Sequence, residues 1–170
     1  RGLVGSEMCI RDRCHFPTFY AAMDAAQHLV KLGPVAVELI DRTMIELARN
    51  IPIFKSTIDS FVKGEPDAVL LVEFSGDDLG PLKEKLQELD TMMSDLGYPK
   101  AIIEAIDPVF QSKITEVRQQ GLNIMMSMKT SGKPVSFIED CAVPLENLAE
   151  YTHRLTEVFK KYGTDGTWYA

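Results

Sequence analysis

Ala68–Phe74 reads AVLLVEF, an almost unbroken apolar run rich in branched side chains. A strand with one solvated face alternates apolar and polar residues, whereas a continuous run marks a strand covered on both faces. Any fold for this chain must therefore place Ala68–Phe74 inside a sheet with something packed on each side.

The flanking segments supply strands and helices in alternation. Val35–Asp41 (VAVELID) and Ala101–Asp107 (AIIEAID) are short and rich in branched residues, and Val135–Ile138 is a fourth candidate strand. From Phe19, with Thr18 as N-cap, Met23, Ala26 and Val30 recur at helical spacing until Gly33-Pro34. Thr43–Asn50 and Lys55–Val62 read as short helices, the first broken by Ile51-Pro52. After Asp77 or Asp78 as cap and Pro81 in the first turn, Leu79, Leu82, Leu86, Leu89, Met93 and Leu96 form one stripe, stopped by Gly97 and Pro99. A long helical stretch runs from Val109 towards Met128. A last helix starts at Pro144, with Leu148, Leu155, Phe159 and Tyr162 on one face, and ends at Gly163. By rule of thumb such alternation favours a parallel α/β sheet.

Size and composition narrow the function classes. A chain of 170 residues suits one domain. No apolar run reaches the ~18–20 residues that span a bilayer. With 18 basic against 25 acidic residues the net charge is −7, which leaves no broad basic footprint for nucleic acid. Cys9, Cys14 and Cys141 form neither a CxxC pair nor a Cys/His array, so a disulfide framework and a zinc finger have no support and a reducing compartment is the plain reading.

Residues 1–13 (RGLVGSEMCIRDR) stand apart. They show no period and no secretory core, and they resemble a translated sequencing adaptor, so the expected division is a non-native or disordered tail over 1–13 and a domain over 14–170. The chain ends at GTWYA, in what reads as a strand, so the domain is expected to be truncated there and the chain to be a fragment of a longer protein.

Standard catalytic signatures are missing: no GxGxxG, no GxxxxGK[ST], no GxSxG and no HExxH. His15, His28 and His153 lie on separate segments without ligand spacing, so no metal site is expected of them. Glu38, Glu73, Glu104 and Glu139 recur one per strand. They could form a metal or general-base cluster, but a solvated face or a guarded sheet edge is the simpler reading. Arg118, in VRQQGLNIMMSMK, is a cation beside an apolar stretch and can act as a carboxylate fork; a surface pairing with Glu116 is the alternative. In KTSGKPVSFIEDCAVP, Glu139 and Asp140 point to opposite sides if they lie in a strand, and Cys141, with no histidine nearby, reads as a buried inert thiol.

EVRQQGLNIMMSMK, KPVSFIEDCAVP and GTWYA together resemble the C-terminal substrate domain of FAD-linked oxidases of the vanillyl-alcohol-oxidase type, the group of D-lactate, glycolate and D-2-hydroxyglutarate dehydrogenases. The long bacterial form, which carries an iron–sulfur domain further on, is the nearest in flavour. The resemblance covers about His15 to Ala170. It implies a ferredoxin-like α+β domain with a largely antiparallel sheet and helices packed on one face, and this replaces the parallel expectation. It implies an oxidoreductase in which a D-2-hydroxy acid becomes a 2-oxo acid, with hydride passing to FAD held mainly by another domain. This part would cap the flavin, shape the substrate pocket and be inactive alone.

The resemblance assigns the substrate carboxylate to Arg118. Some relatives place a lysine where this chain has Ile138; Lys129 or Lys133 from the preceding loop would substitute in substrate binding. Glu139 and Asp140 match a block on the flavin side and are the cofactor-side candidates. Catalytic and metal-binding histidines are expected beyond Ala170, as are any iron–sulfur cluster and divalent metal of the parent. The implied partners are the small hydroxy acid and the parent's FAD-binding domain, with no nucleic acid and no transmembrane segment. The expected location is the cytoplasm, or the inner membrane face through an electron acceptor. Two rivals accompany this reading: a non-catalytic small-ligand-binding or interaction module with the same fold, and an inert fragment with a bare partner surface.

Overall fold

The computed structural model describes residues 8–99, 101–105, 119–126 and 141–168, with single positions at 112, 116, 135 and 138. Its central strand is β1, Met8–Phe16. It runs antiparallel to β3 (Ala68–Gly76) on one side and to β4 (Ile102–Ala105) on the other, and β3 in turn pairs antiparallel with β2 (Ala36–Asp41). The sheet order is β2-β3-β1-β4. With α1 (Phe19–Leu29) between β1 and β2, and α4 (Leu79–Asp95) between β3 and β4, this is the ferredoxin-like split βαβ arrangement. The antiparallel sheet implied by the family resemblance is present, and the parallel sheet favoured by element alternation is not. The misleading feature is the pair α2 (Arg42–Arg49) and α3 (Pro52–Phe61). These helices resemble a crossover between parallel strands, yet they join β2 to its antiparallel neighbour β3.

Helices lie on both faces of the sheet rather than on one. On the first face, Ile10, Cys14 and Phe16 of β1 and Leu70, Val72 and Phe74 of β3 pack with the inward residues of α1 and α4, joined by Ala149 of α6 (Leu148–Lys161). On the second, Ile40, Val69 and Leu71 pack with Met44, Ile45 and Ala48 of α2, Ile58 and Phe61 of α3, and Ile124 of α5 (Gly121–Met126). Ala68–Val72 are all buried, which is what the unbroken apolar run requires.

Local chemistry fixes the ends of the elements. Thr18 caps α1, its Oγ1 accepting the Ala21 N–H at 3.2 Å. Pro52 opens α3 instead of merely breaking the helix before it, because a first-turn proline lacks only an N–H that would have no helical partner. The stripe of α4 is buried at Leu82, Leu86, Leu89 and Met93, while Leu79 stays exposed. Gly97, at φ 91°, ends α4 with two bonds of a Schellman turn: Tyr98 N–H to Met93 O at 2.8 Å and Gly97 N–H to Ser94 O at 3.0 Å.

Four expectations are adjusted by the structure. Met8–Arg13 are not an unstructured tail but most of β1, and Ile10, Asp12 and Arg13 are buried there. α6 buries Ala149 and Thr152 most fully; of the expected stripe, Leu148 packs against the first core and Leu155 and Phe159 are half-buried, whereas Tyr162 is 74% exposed. Cys141 is exposed, because it lies in an irregular stretch ahead of the short 3-10 turn Leu145–Asn147; the buried thiol is Cys14. Of the fourth candidate strand, Val135 and Ile138 are exposed and not in a strand, and Ser136 and Phe137 lie outside the described residues.

Candidate functional site

The five side chains singled out from the sequence, Arg118, Lys129, Lys133, Glu139 and Asp140, all lie outside the described residues. What is described is the framework around them. Ahead of Arg118, Glu116 is exposed and its carbonyl accepts the Gln120 N–H at 3.0 Å; Gln120 O then accepts from Ile124 N–H at 2.8 Å. Ile124 is fully buried in the second core, so α5 is held against α2. Gly121 faces Met44 so closely that a Cβ there would lie 3.4 Å from Met44 Cε. Beyond Asp140, Cys141 is exposed, and its side-chain hydrogen bond with Tyr151 pushes that phenol's pKa up.

The acids do not gather. Glu38, opposite Leu71, and Glu73, opposite Ala36 and Arg11, share a face of the sheet, but Glu104 pairs with Asp12, one residue out of phase, and Glu139 lies outside the described residues. Among the described residues no group of three His, Cys, Asp or Glu side chains could hold a metal ion.

The clearest constellation is one the sequence reading missed. Asp41, 5% exposed, ends β2 and caps α2, its Oδ1 accepting the Met44 N–H at 2.8 Å. Its Oδ2 accepts the Trp168 N–H at 3.0 Å and so ties the 166–168 segment back to the sheet. Burial pushes the Asp41 carboxyl above its ordinary 3.8; the two N–H donors pull it down, and Glu46 adds to the upward push. The Trp168 ring packs against Phe19 and Phe159, with centroids at 5.7 and 6.5 Å. A Cβ at Gly166 would collide with the Phe159 ring, so a glycine is needed for this approach. Asp41 was recognisable as a helix N-cap, being an aspartate directly before the RTMIELAR run. Its bond to Trp168 depends on tertiary placement and leaves no local mark.

A second tie joins β1 to the end of α3. Arg13 Nη1 donates to Phe61 O at 3.0 Å, satisfying a carbonyl at the helix C-terminus. Burial lowers the Arg13 pKa, and the Asp12 carboxylate opposes that. His15 Nε2 accepts the Lys63 N–H at 3.1 Å, which leaves Nδ1–H to donate to Ala101 O at 3.1 Å.

An apolar, partly open depression is lined by Phe19, Tyr20, Thr152, His153 and Thr156, with His153 edge-on to Tyr20 at 6.0 Å. It offers neither a Lys or Arg nor a glycine turn for a pyrophosphate, so it does not fit a flavin dinucleotide. No helix of the described residues is long and apolar enough to cross a membrane.

A ferredoxin-like sheet with helices on both faces and a C-terminal segment pinned to its second strand defines the domain class. Residues 13–170 match the model of the FAD linked oxidases, C-terminal domain, and the chain belongs to that family. A D-2-hydroxyglutarate dehydrogenase of Pantoea ananatis is 27% identical over 161 residues, covering 87% of this chain and 15% of its own length. Proteins of the same name from Haemophilus influenzae and Escherichia coli are 26% identical over 148 residues and 25% over 157, and this chain covers 14% and 15% of their lengths. The chain thus spans about 15% of the curated relatives it matches.

Proposed function

We propose that this chain is the substrate-side domain of an FAD-dependent dehydrogenase that oxidises a D-2-hydroxy acid to the 2-oxo acid, with D-2-hydroxyglutarate the leading candidate. The carrying observation is the family match over residues 13–170, together with relatives that share one name, D-2-hydroxyglutarate dehydrogenase. FAD supplies the redox chemistry and is held mainly by a domain other than this one.

The domain's own contribution is orientation and charge. Arg118 grips the substrate carboxylate through two parallel guanidinium donors, and Lys129 and Lys133 add positive charge from the following loop. Glu139 and Asp140 face the flavin side. The protein works in the cytoplasm or at the inner face of a membrane, where its electron acceptor lies.

The test uses the flavoprotein that contains this domain. D- and L-2-hydroxy acids are added anaerobically while the flavin absorbance is followed, with Arg118→Ala beside the wild type. Bleaching by D-acids only, with a KM raised at least about tenfold in the variant, supports the reading. A protein without flavin, or one indifferent to D-acids, overturns it in favour of a binding module. Wild-type behaviour of the variant removes Arg118 from the site.

A further inference from the structure

Asp41 holds two segments that are far apart in the chain. Its Oδ2 receives the Trp168 N–H at 3.0 Å, and its Oδ1 receives the Met44 N–H at 2.8 Å. The same Met44 reaches Gly121 with its Cε, and Gly121 opens α5 three positions after Arg118. Three contacts therefore run from the C-terminal segment through one carboxylate to the helix beside Arg118. A shorter or uncharged side chain would cap α2 equally well, since Ser, Thr and Asn are good N-caps. The cap alone does not call for a two-oxygen carboxylate buried in the fold. The second oxygen is explained by the Trp168 amide.

We infer that Asp41 is a positioning residue, one carboxylate that sets the 164–168 segment and the α2–α5 pair in a fixed mutual arrangement and thereby aligns α5, which begins three positions after Arg118 in the sequence, with the C-terminal side of the domain. The tie itself stands on the geometry alone; its kinetic consequence rests on the proposed 2-hydroxy-acid reaction. Misalignment of this kind acts on turnover more than on binding, because a small displacement of an oriented substrate is felt in the reacting geometry.

Asp41→Ser separates the two roles, since serine caps α2 but is too short to hold both amides. In the 170-residue chain Trp168 is the single tryptophan, so its emission and its amide exchange report the tie directly. The expected result is red-shifted emission and an amide protection at Trp168 that falls at least about tenfold, while thermal unfolding stays cooperative. Asp41→Asn keeps a carbonyl acceptor and lies between wild type and serine. In the flavoprotein, Asp41→Ser lowers kcat for the hydroxy acid about tenfold with KM within about twofold, the converse of Arg118→Ala.

Unchanged Trp168 emission and protection in Asp41→Ser overturn the tie. A released Trp168 with wild-type kcat overturns the positioning role. Where the serine variant does not fold, an asparagine variant with wild-type kcat and wild-type Trp168 protection overturns the need for the carboxylate. A flavoprotein that does not oxidise D-2-hydroxy acids overturns the proposed reaction instead, and Trp168 then decides the tie alone.

Discussion

Arg11 Nε lies 2.7 Å from Glu73 Oε2, and the two residues are directly paired across β1 and β3. The side chains retain only 21% and 15% of their exposure, so the ion pair is half-buried and less screened than a surface pair. Glu73→Gln is expected to cost about 1 kcal/mol, and a double-mutant cycle with Arg11→Met is expected to give a coupling of similar size. Urea unfolding of the four proteins measures it. A coupling near zero would mean that backbone pairing alone sets the β1–β3 register.

Asp12 is fully buried on the strand side that carries Ile10 and Cys14, opposite Val72. Its charge opposes that of Arg13, the next residue along the strand, which is buried as well. Removing one member of a buried set of charges leaves the other uncompensated, so Asp12→Val, with Arg13 still buried, should lower stability by about 3 kcal/mol. A higher melting temperature would show that burying the carboxylate costs more than its interactions contribute.

His15 gives the fold a pH dependence of known sign. Burial holds its imidazole below the ordinary 6.5, against the pull of the Ala101 and Arg13 carbonyls, and the nearby Arg13 charge adds to the lowering. In the unfolded chain the ring titrates near 6.5, so between the folded value and 6.5 the unfolded state binds more protons. Stability therefore rises with pH through that window and falls on acidification. Asp41 works in the opposite sense, its folded carboxyl lying above 3.8, so its contribution is largest at low pH and declines as pH rises through its folded value. Urea midpoints followed from about pH 7 down to about pH 5 should fall in the wild type and fall less in His15→Gln, which cannot titrate. Parallel profiles would remove His15 as the source.

Gly97 sits at φ 91° with open space where a Cβ would go, so a side chain there meets no neighbour and the penalty is backbone strain alone. Gly97→Ala should cost about 1 kcal/mol, whereas Gly80→Ala, within α4 and equally uncrowded, should stabilise by a few tenths to about 1 kcal/mol. Thermal unfolding of both variants tests the contrast, and equal effects would mean that the turn relaxes to negative φ at no penalty.

Much of this fold was legible because one physical rule operated at a time. The Ala68–Phe74 run, the α4 stripe, the Thr18 cap and the Gly97 stop are each decided locally, and the structure shows each of them. β1 was illegible because Asp12 and Arg13 occupy buried positions, and a strand that buries charge does not display its period. Arg13 is tolerated there by the Phe61 carbonyl, contributed by a helix much later in the chain. Sheet direction was legible only through the family resemblance, since α2 and α3 read as a crossover from sequence alone. The exposed Cys141 and the Asp41–Trp168 bond depend on where distant segments meet, which residue spacing does not encode.

The sheet order has a consequence for how the polypeptide reaches its native state. β1 comes first in the chain among the described strands and lies between its two partners, which come third and fourth. Both of its edges stay unpaired until β3 and then β4 become available, and these pairings are among the longest-range closures in the domain. A nascent β1 is thus an unpaired template until β3 and β4 have been made, with Arg11, Asp12 and Arg13 as the charges that discourage pairing with other chains in that interval.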